Sequence, residues 1–137
     1  MSLTTTQEYA EPENVVLRPE ILRAGQDALA KAHPGARFRY VFHGSSGSKQ
    51  QDLDRAISFG VAKVNLDTDA GYAFTRAIAD HVLDRWQGVL TVHGGLADKH
   101  RFDPRTWGAA AEAAMASRVC EACHQFGSAG RALAIAC

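Results

Sequence analysis

A single histidine stands directly before a small, hydroxyl-rich stretch that suits the binding of an anion. His43 is followed by Gly-Ser-Ser-Gly-Ser over residues 44–48. Glycine removes side-chain bulk, and unpaired backbone N–H groups at the start of a helix attract phosphate oxygens. An imidazole is a metal ligand or a proton carrier. The stretch therefore predicts a phosphate site with metal or acid–base chemistry beside it.

A second polar cluster follows a short apolar run. Asn65, Asp67 and Thr68 offer an amide, a carboxylate and a hydroxyl. These groups suit a ligand that carries hydroxyls as well as phosphate. Two plainer interpretations stay open. His43 is then a core histidine beside a flexible turn, and Asp67 and Asp69 only cap the next helix.

The elements around both clusters alternate in the order strand, loop, helix, strand, loop, helix. Aromatic and β-branched residues predict strands at 37–42 and 61–66, with a helix at 49–58 between them. Right-handed β-α-β connections make such strands parallel. Chemistry in parallel α/β folds collects at the carboxyl ends of the strands, so we expect His43 and Asn65 at the same end.

Apolar spacing predicts three further helices. The first covers residues 19–31. The second covers residues 70–85, and its predicted buried side consists of Phe74, Ile78, Val82 and Leu83. Asp103-Pro104 predicts the cap and first turn of a final helix that reaches about Phe126. Residues 88–101 favour an irregular loop, with a short strand at 89–92 as the alternative.

The composition indicates a globular protein and disfavours two classes of partner. Of the 137 residues 46% are hydrophobic, and 15 Lys and Arg balance 15 Asp and Glu. No nucleic-acid partner and no membrane surface are expected from balanced charge, and no segment approaches the roughly 18 apolar residues of a membrane span. The first residues lack the basic and apolar regions of a secretory signal, which predicts a cytoplasmic protein.

Two of the three cysteines allow more than one interpretation. Cys120, Cys123 and His124 have the pattern of a c-type haem attachment site. The competing interpretation is a helix face, because apolar residues recur at helical spacing. That face consists of Trp107, Ala111, Met115, Val119, Cys123 and Phe126. Without an export signal we expect a structural, reduced pair, and a redox or zinc pair is the remaining alternative.

Several motifs in one order resemble those of class II, metal-dependent fructose-1,6-bisphosphate aldolases. FHGSSGS, KVNLDTD, YAFTRAIADH and FDPRTW follow one another, and the family has FHGGSGS, K-[MV]-N-[IV]-D-T-D and YDPR-x-W. The resemblance runs from about residue 11 to residue 130. It implies a glycolytic and gluconeogenic lyase that reversibly cleaves fructose 1,6-bisphosphate to dihydroxyacetone phosphate and glyceraldehyde 3-phosphate.

The fold implied by the resemblance is α/β, the C-terminal part of a (β/α)8 TIM barrel. Such barrels typically take about 250 residues, so the barrel is expected to be incomplete in this chain. Residues 1–137 then form a single partial domain. Its expected parts are a disordered segment at 1–9, the last β/α units at 10–102, the C-terminal helix at 103–126 and a tail at 127–137.

The resemblance also implies roles for individual residues. His43 matches the last of three histidine ligands of a divalent metal, usually zinc, and Asn65 matches a catalytic position. The implied substrate-binding positions are Gly44, Ser45, Ser46, Asn65, Leu66, Asp67, Thr68 and Arg105. Residues 44–46 bind the phosphate of the ketose through backbone N–H groups and a serine hydroxyl. Arg105 reaches the distal phosphate across a homodimer interface.

The chain departs from the family pattern in ways that predict impaired catalysis. A His-Gly pair of the family is matched by Gln7 and Glu8, and another metal ligand and the proton-carrying aspartate lie in the family's N-terminal half. Ser45 replaces a glycine, which costs about 1 kcal/mol if that position needs a positive φ. We therefore expect this polypeptide alone not to be a competent aldolase.

The expected origin of the chain is the C-terminal portion of an aldolase. It is a truncated gene product, a partial gene model, or one piece of a split protein whose N-terminal half is a separate partner. Two alternative functions remain. One is a tagatose-bisphosphate aldolase, and the other is a non-catalytic phosphate-binding or interaction module.

Overall fold

The computed structural model describes residues 16–90 and 98–131. The chain forms two compact units, one made of Met1–Asp67 with His124–Cys137 and the other of Thr68–Cys123. The predicted disorder at residues 1–9 and most of the predicted tail lie outside the described residues. The prediction of one partial domain for the whole chain stays a prediction.

The first unit contains two strands that pair in parallel. Its elements are α1 (Glu20–Ala32), β1 (Tyr40–His43), α2 (Gln50–Ser58) and β2 (Val61–Asn65). Phe42 lies beside Val64 and His43 beside Asn65, with an irregularity in register between Tyr40 and Val41. The predicted α/β class and parallel pairing are confirmed. The first strand begins at Tyr40 rather than at residue 37.

One face of this strand pair is covered by helices. The buried cluster consists of Leu17, Leu22, Phe42, Leu53, Ala56 and Val61. Burial alternates along β1: Phe42 is buried, whereas Val41 and His43 are exposed. Successive side chains of a strand point to opposite faces of the sheet. Full burial of Leu53, which is 1% exposed, contributes about 1.5–3 kcal/mol to stability. The helices thus hold the strands from one side and leave His43 accessible from the other.

One side chain of α1 forms hydrogen bonds with the backbone just before both strands. The Gln26 amide nitrogen donates to the carbonyl oxygens of Phe38 (2.9 Å) and Phe59 (3.1 Å), and its Oε1 accepts from the Phe38 N–H at 3.0 Å. Gly60 lies next to this contact with φ +107°, and a Cβ there would stand 2.5 Å from the Gln26 nitrogen. Glycine is therefore required at position 60.

The second unit is helical. It contains α3 (Thr68–Asp84), α4 (Trp86–Val89), α5 (Lys99–Phe102) and most of α6 (Pro104–Gln125). The predicted helices at 70–85 and from Asp103-Pro104 onwards are confirmed within two residues at each end. No helix among the described residues is long and apolar enough to cross a membrane.

Two short helices stand where a loop was predicted. At α4 the Leu90 N–H donates to the Trp86 carbonyl at 2.7 Å, so the alternative of a strand at 89–92 is wrong for Val89. At α5 the Asp98 carboxylate accepts from the His100 N–H at 3.0 Å and caps the helix. Thr91 and Val92 lie outside the described residues.

The predicted buried faces of the long helices are partly wrong. Leu83 is 71% exposed, and Met115 and Val119 are 39% and 44% exposed. Near the end of α3 the buried residue is instead His81, whose Nε2 donates to the Arg101 carbonyl at 2.6 Å. On α6 the predicted Ala111 is buried, and so is Ala122, which was not part of the predicted face. On these two helices the buried positions are thus a hydrogen-bonded histidine and small alanines rather than the large apolar residues of the predicted faces.

Candidate functional site

The carboxyl ends of the two strands bring His43 and Asn65 together. The Asn65 Nδ2 lies 2.9 Å from the His43 Nδ1. An amide nitrogen only donates, so Nδ1 accepts and the proton of a neutral ring lies on Nε2. The prediction that both residues share one end of the sheet is confirmed. Asn65 therefore fixes both the orientation and the tautomer of the imidazole.

A tight turn follows His43 immediately. The Ser48 N–H donates to the Ser45 carbonyl at 3.2 Å, and Gly47 has φ +77°. Glycine with positive φ at the third position is typical of a type II turn. Gly44 also has positive φ, at +76°, whereas none of the described non-glycine residues does. The condition for backbone strain at Ser45 is therefore not met.

The turn carries two hydroxyl groups whose surroundings, as far as the structure describes them, offer no hydrogen bond. Ser45 is only 5% exposed. The Oγ atoms of Ser45 and Ser48 are buried and have no hydrogen-bond partner among the described residues. A buried hydroxyl without a partner costs about 1–3 kcal/mol. The helix α2 begins at Gln50 just after this turn, and Lys49 provides no side-chain cap.

The second predicted segment continues from Asn65 into the next helix. Leu66 is half-buried, Asp67 is exposed, and Thr68 is the first residue of α3 and is exposed. Asp69 has a structural contact, since its carboxylate pairs with Arg118 of α6 at 2.8 Å. This pair links α3 to α6 within the second unit, and the capping interpretation for Asp67 and Asp69 stays a prediction. The substrate-binding roles of residues 66–68 stay predictions.

Arg105 belongs to the second unit and is paired within its own chain. Its Nε donates to the Asp103 carboxylate at 3.0 Å, and its side chain is 82% exposed. The hydrogen bonds from Arg105 hold the pKa of the Asp103 carboxyl well below its usual range. A phosphate would therefore share the Arg105 guanidinium with the Asp103 carboxylate or displace it. Its predicted role stays a prediction.

The described residues do not form a complete metal site. Across residues 16–90 and 98–131, no group of three His, Cys, Asp or Glu side chains is placed to hold a metal ion. A catalytic zinc typically takes three protein ligands. His43 offers one imidazole, and Gln7 and Glu8 lie outside the described residues. The available donor set therefore does not fit a resident zinc by itself.

The cysteine motif lies on α6. Cys120 is exposed, and Cys123 is half-buried. The helical interpretation of this segment is confirmed by the extent of α6. The structural role of the pair stays a prediction.

The sequence of the chain matches a known enzyme family over almost its full extent. The family model of class-II fructose-bisphosphate aldolase matches residues 4–131. The chain therefore belongs to the class-II fructose-bisphosphate aldolase family. This result confirms the resemblance drawn from the FHGSSGS and KVNLDTD motifs.

Individual relatives show how much of an aldolase the chain covers. It is 47% identical over 125 residues to the fructose-bisphosphate aldolase of Streptomyces coelicolor, covering 88% of this chain and 36% of that protein. It is 44% identical over 130 residues to that of Mycobacterium tuberculosis, covering 90% of this chain and 37% of that protein. The chain thus spans about a third of the length of these relatives.

A solved structure matches the fold as well. The fructose-bisphosphate aldolase of Campylobacter jejuni aligns with a TM-score of 0.77 and 30% sequence identity, covering 93% of this chain and 39% of that chain. The arrangement of helices and strands described above is therefore found within a complete aldolase.

Proposed function

We propose that the chain supplies the carboxyl-terminal part of a class II fructose-bisphosphate aldolase active site. The observation that carries this proposal is the pairing of His43 with Asn65 at the ends of adjacent parallel strands, directly before the glycine–serine turn. In α/β enzymes this end of the sheet is where catalytic groups converge. Family membership adds the reaction class, a lyase acting on a phosphorylated sugar.

In this proposal the described residues bind and orient the substrate. Backbone N–H groups and hydroxyls of residues 44–48 hold one phosphate, while Asn65 and Asp67 bind oxygen substituents of the sugar. Thr68 assists at the phosphate, and Arg105 binds the distal phosphate. The class II family is metal-dependent, and we assign His43 as one ligand of its zinc. The Nδ1 lone pair that accepts from Asn65 in the chain alone would then bind the metal, and the Asn65 amide would turn to the sugar. The described residues supply no complete ligand set, so no bond-making step is assigned to them.

The proposed architecture is an incomplete (β/α)8 barrel. β1 with α2 and β2 with α3 then are two consecutive β/α units of that barrel. The missing strands and the missing metal ligands come from an N-terminal aldolase segment. The proposal also includes a homodimer, in which Arg105 of one protomer reaches the distal phosphate bound by its partner.

A complementation assay tests the proposal. The purified 137-residue chain is assayed for cleavage of fructose 1,6-bisphosphate with added zinc. The assay is done alone and together with the N-terminal two-thirds of the Streptomyces coelicolor enzyme, expressed separately. We expect no turnover from either part alone and measurable turnover from the mixture.

The matched control is His43→Ala prepared in the same way, which also reports contamination by host aldolase. Loss of turnover with His43→Ala supports the proposal. Turnover by the 137-residue chain alone would overturn the expectation of an incomplete site. A folded mixture without turnover would favour a non-catalytic module, and preference for tagatose 1,6-bisphosphate would change the substrate.

A further inference from the structure

A buried histidine of the second unit uses both nitrogens of its ring. His81 of α3 is only 8% exposed. Its Nε2 bonds to the Arg101 carbonyl at 2.6 Å, and its Nδ1 lies 3.4 Å from the Arg85 guanidinium. A carbonyl only accepts and a guanidinium only donates, so Nε2 carries the proton and Nδ1 offers the lone pair. His81 therefore joins α3 to α5 through one defined tautomer.

The carbonyl that His81 binds lies in a helix too short to be stable by itself. α5 has four residues, fewer than an isolated helix needs in water. Carbonyl groups in the last turn of a helix have no partner within that helix. The Arg101 carbonyl accepts instead from His81, which lies 20 positions away in the chain. The position of α5 thus depends on contacts from other elements.

A second contact places α5 against α4. The Arg101 side chain lies over Gly88, where an added Cβ would overlap it. The Arg101 Nε also pairs with the Asp98 carboxylate at 3.1 Å, and the same carboxylate caps α5 by accepting from the His100 N–H at 3.0 Å. Arg101 therefore contacts α3 through its backbone and α4 through its side chain.

Arg105 follows shortly after the bonded carbonyl, and hydrogen bonds connect the residues between them. Asp103 ends α5, and its N–H donates to the Lys99 carbonyl at 2.9 Å. The Asp103 carboxylate accepts from the Arg105 N–H at 2.9 Å and from the Arg105 Nε at 3.0 Å. Its side chain is only 15% exposed, whereas that of Arg105 is 82% exposed. The contacts thus lead from His81 to an exposed guanidinium.

We propose that His81 is a positioning residue, which fixes α5 and thereby the place from which Arg105 reaches the distal phosphate of the substrate. This inference rests on the proposed function, in which Arg105 binds that phosphate, and deepens it. His81 acts through α5 and not on a reacting atom. Because a small displacement of a binding group costs much of its interaction, His81 contributes to the preference for a bisphosphate substrate.

Amide hydrogen exchange of the complete 137-residue chain measures this positioning without any catalysis. His81→Phe keeps an aromatic ring and removes both hydrogen bonds. We expect exchange over residues 99–105 to become at least about 10-fold faster in this variant. His81→Gln retains an amide donor for the Arg101 carbonyl, so its exchange should stay within about 3-fold of the parent.

A control and a second perturbation are available in the same unit. Arg76 pairs with Asp80 at 2.8 Å, and both are exposed residues of α3. Arg76→Ala should therefore leave exchange over residues 99–105 unchanged. Gly88→Ala keeps His81 and pushes against the Arg101 side chain, so it should speed the same exchange. Gly88→Ala decides the question if His81→Phe does not fold.

Cleavage by the complemented mixture then separates positioning from stability. The two substrates are fructose 1,6-bisphosphate and fructose 1-phosphate, which lacks the distal phosphate. Arg105→Ala should lower kcat/KM for the bisphosphate about 10- to 100-fold relative to the monophosphate. His81→Phe should lower the same preference about 5- to 10-fold through a higher KM, and should add little when combined with Arg105→Ala. His81→Gln should restore most of the preference.

Unchanged exchange in both His81→Phe and Gly88→Ala would overturn the inference. Equal losses for both substrates through kcat would also overturn it, because His81 would then act on stability alone while the proposed function stands. A mixture that cleaves neither substrate, together with faster exchange in His81→Phe, would reject the proposed function and retain the positioning of residues 99–105 by His81.

Discussion

The two ends of the β1–β2 pair differ in how completely their polar groups are used. At the amino-terminal end Gln26 bonds to backbone groups of Phe38 and Phe59, and the Tyr40 hydroxyl donates to the Leu22 carbonyl at 3.1 Å. At the carboxyl end the Ser45 and Ser48 hydroxyls have no partner among the described residues. Among the described residues, the buried side-chain groups without a partner thus lie at the carboxyl end of the pair.

This difference matches the proposed division between stability at one end of the two strands and ligand binding at the other. In barrel folds, conserved groups at the amino-terminal face serve stability and those at the carboxyl face serve catalysis. A cavity of about 470 Å³ opens at the amino-terminal end, yet the Gln26 that lines it already uses both its amide oxygen and its amide nitrogen. A concave surface alone is therefore weak evidence for a ligand site.

The largest loss of stability is expected for Gly60→Ala. A Cβ at this position would meet the Gln26 nitrogen at 2.5 Å and the Phe38 carbonyl at 3.1 Å, with φ at +107°. Strain and overlap together should lower the free energy of unfolding by roughly 2–3 kcal/mol, measured by urea denaturation.

The control for Gly60→Ala is Gly35→Ala. Gly35 has φ +88° but nothing within 4 Å of an added Cβ. Its cost should be that of the backbone conformation alone, about 1 kcal/mol. Equal losses in both variants would show that the contact with Gln26 is unimportant.

Gln26→Leu should have a smaller effect on stability. The substitution keeps the approximate size of the side chain but removes its hydrogen bonds to the backbone of Phe38 and Phe59. Because part of this contact is exposed to water, we expect a loss of about 1–2 kcal/mol in urea denaturation. Gln51→Leu, at an exposed position on α2, should change stability by less than about 0.5 kcal/mol. Similar values for both variants would contradict the fastening role of Gln26.

Asn65→Ala at the opposite end should have the smallest effect on stability. Its side chain contacts the exposed His43, so the free energy of unfolding should stay within about 0.5 kcal/mol of the parent. Cleavage in the complemented mixture should nevertheless fall about 100-fold or more. The substitution removes the amide that, in the proposal, binds an oxygen of the sugar in the active site. A large loss of stability with retained cleavage would reverse the comparison between the two ends.

The strand pair was predictable because its signals are local and agree with one another. Aromatic and β-branched residues around Tyr40 and Val64 indicate strands, and the short helix between them requires a parallel crossover. His43 and Asn65 stand at the ends of these strands, so their proximity followed. By contrast, α4 and α5 contain four residues each, too few to show a helical period.

Other features depend on contacts that no local pattern reports. Leu83 fits the apolar spacing of α3, but His81 is buried nearby through its bond to the Arg101 carbonyl. The role of Gln26 depends on residues 12 and 33 positions away in the chain. Which residue of a glycine–serine run takes positive φ depends on where the turn closes. That could not be read from the letters GSSGS.

The negative φ of Ser45 bears on how such a loop can evolve. Gly44 and Gly47 carry both left-handed positions of the segment, so position 45 is free of any backbone requirement. Glycine and serine are exchangeable there without rebuilding the turn. Position 45 can therefore change between these two residues in a single step while the scaffold stays constant.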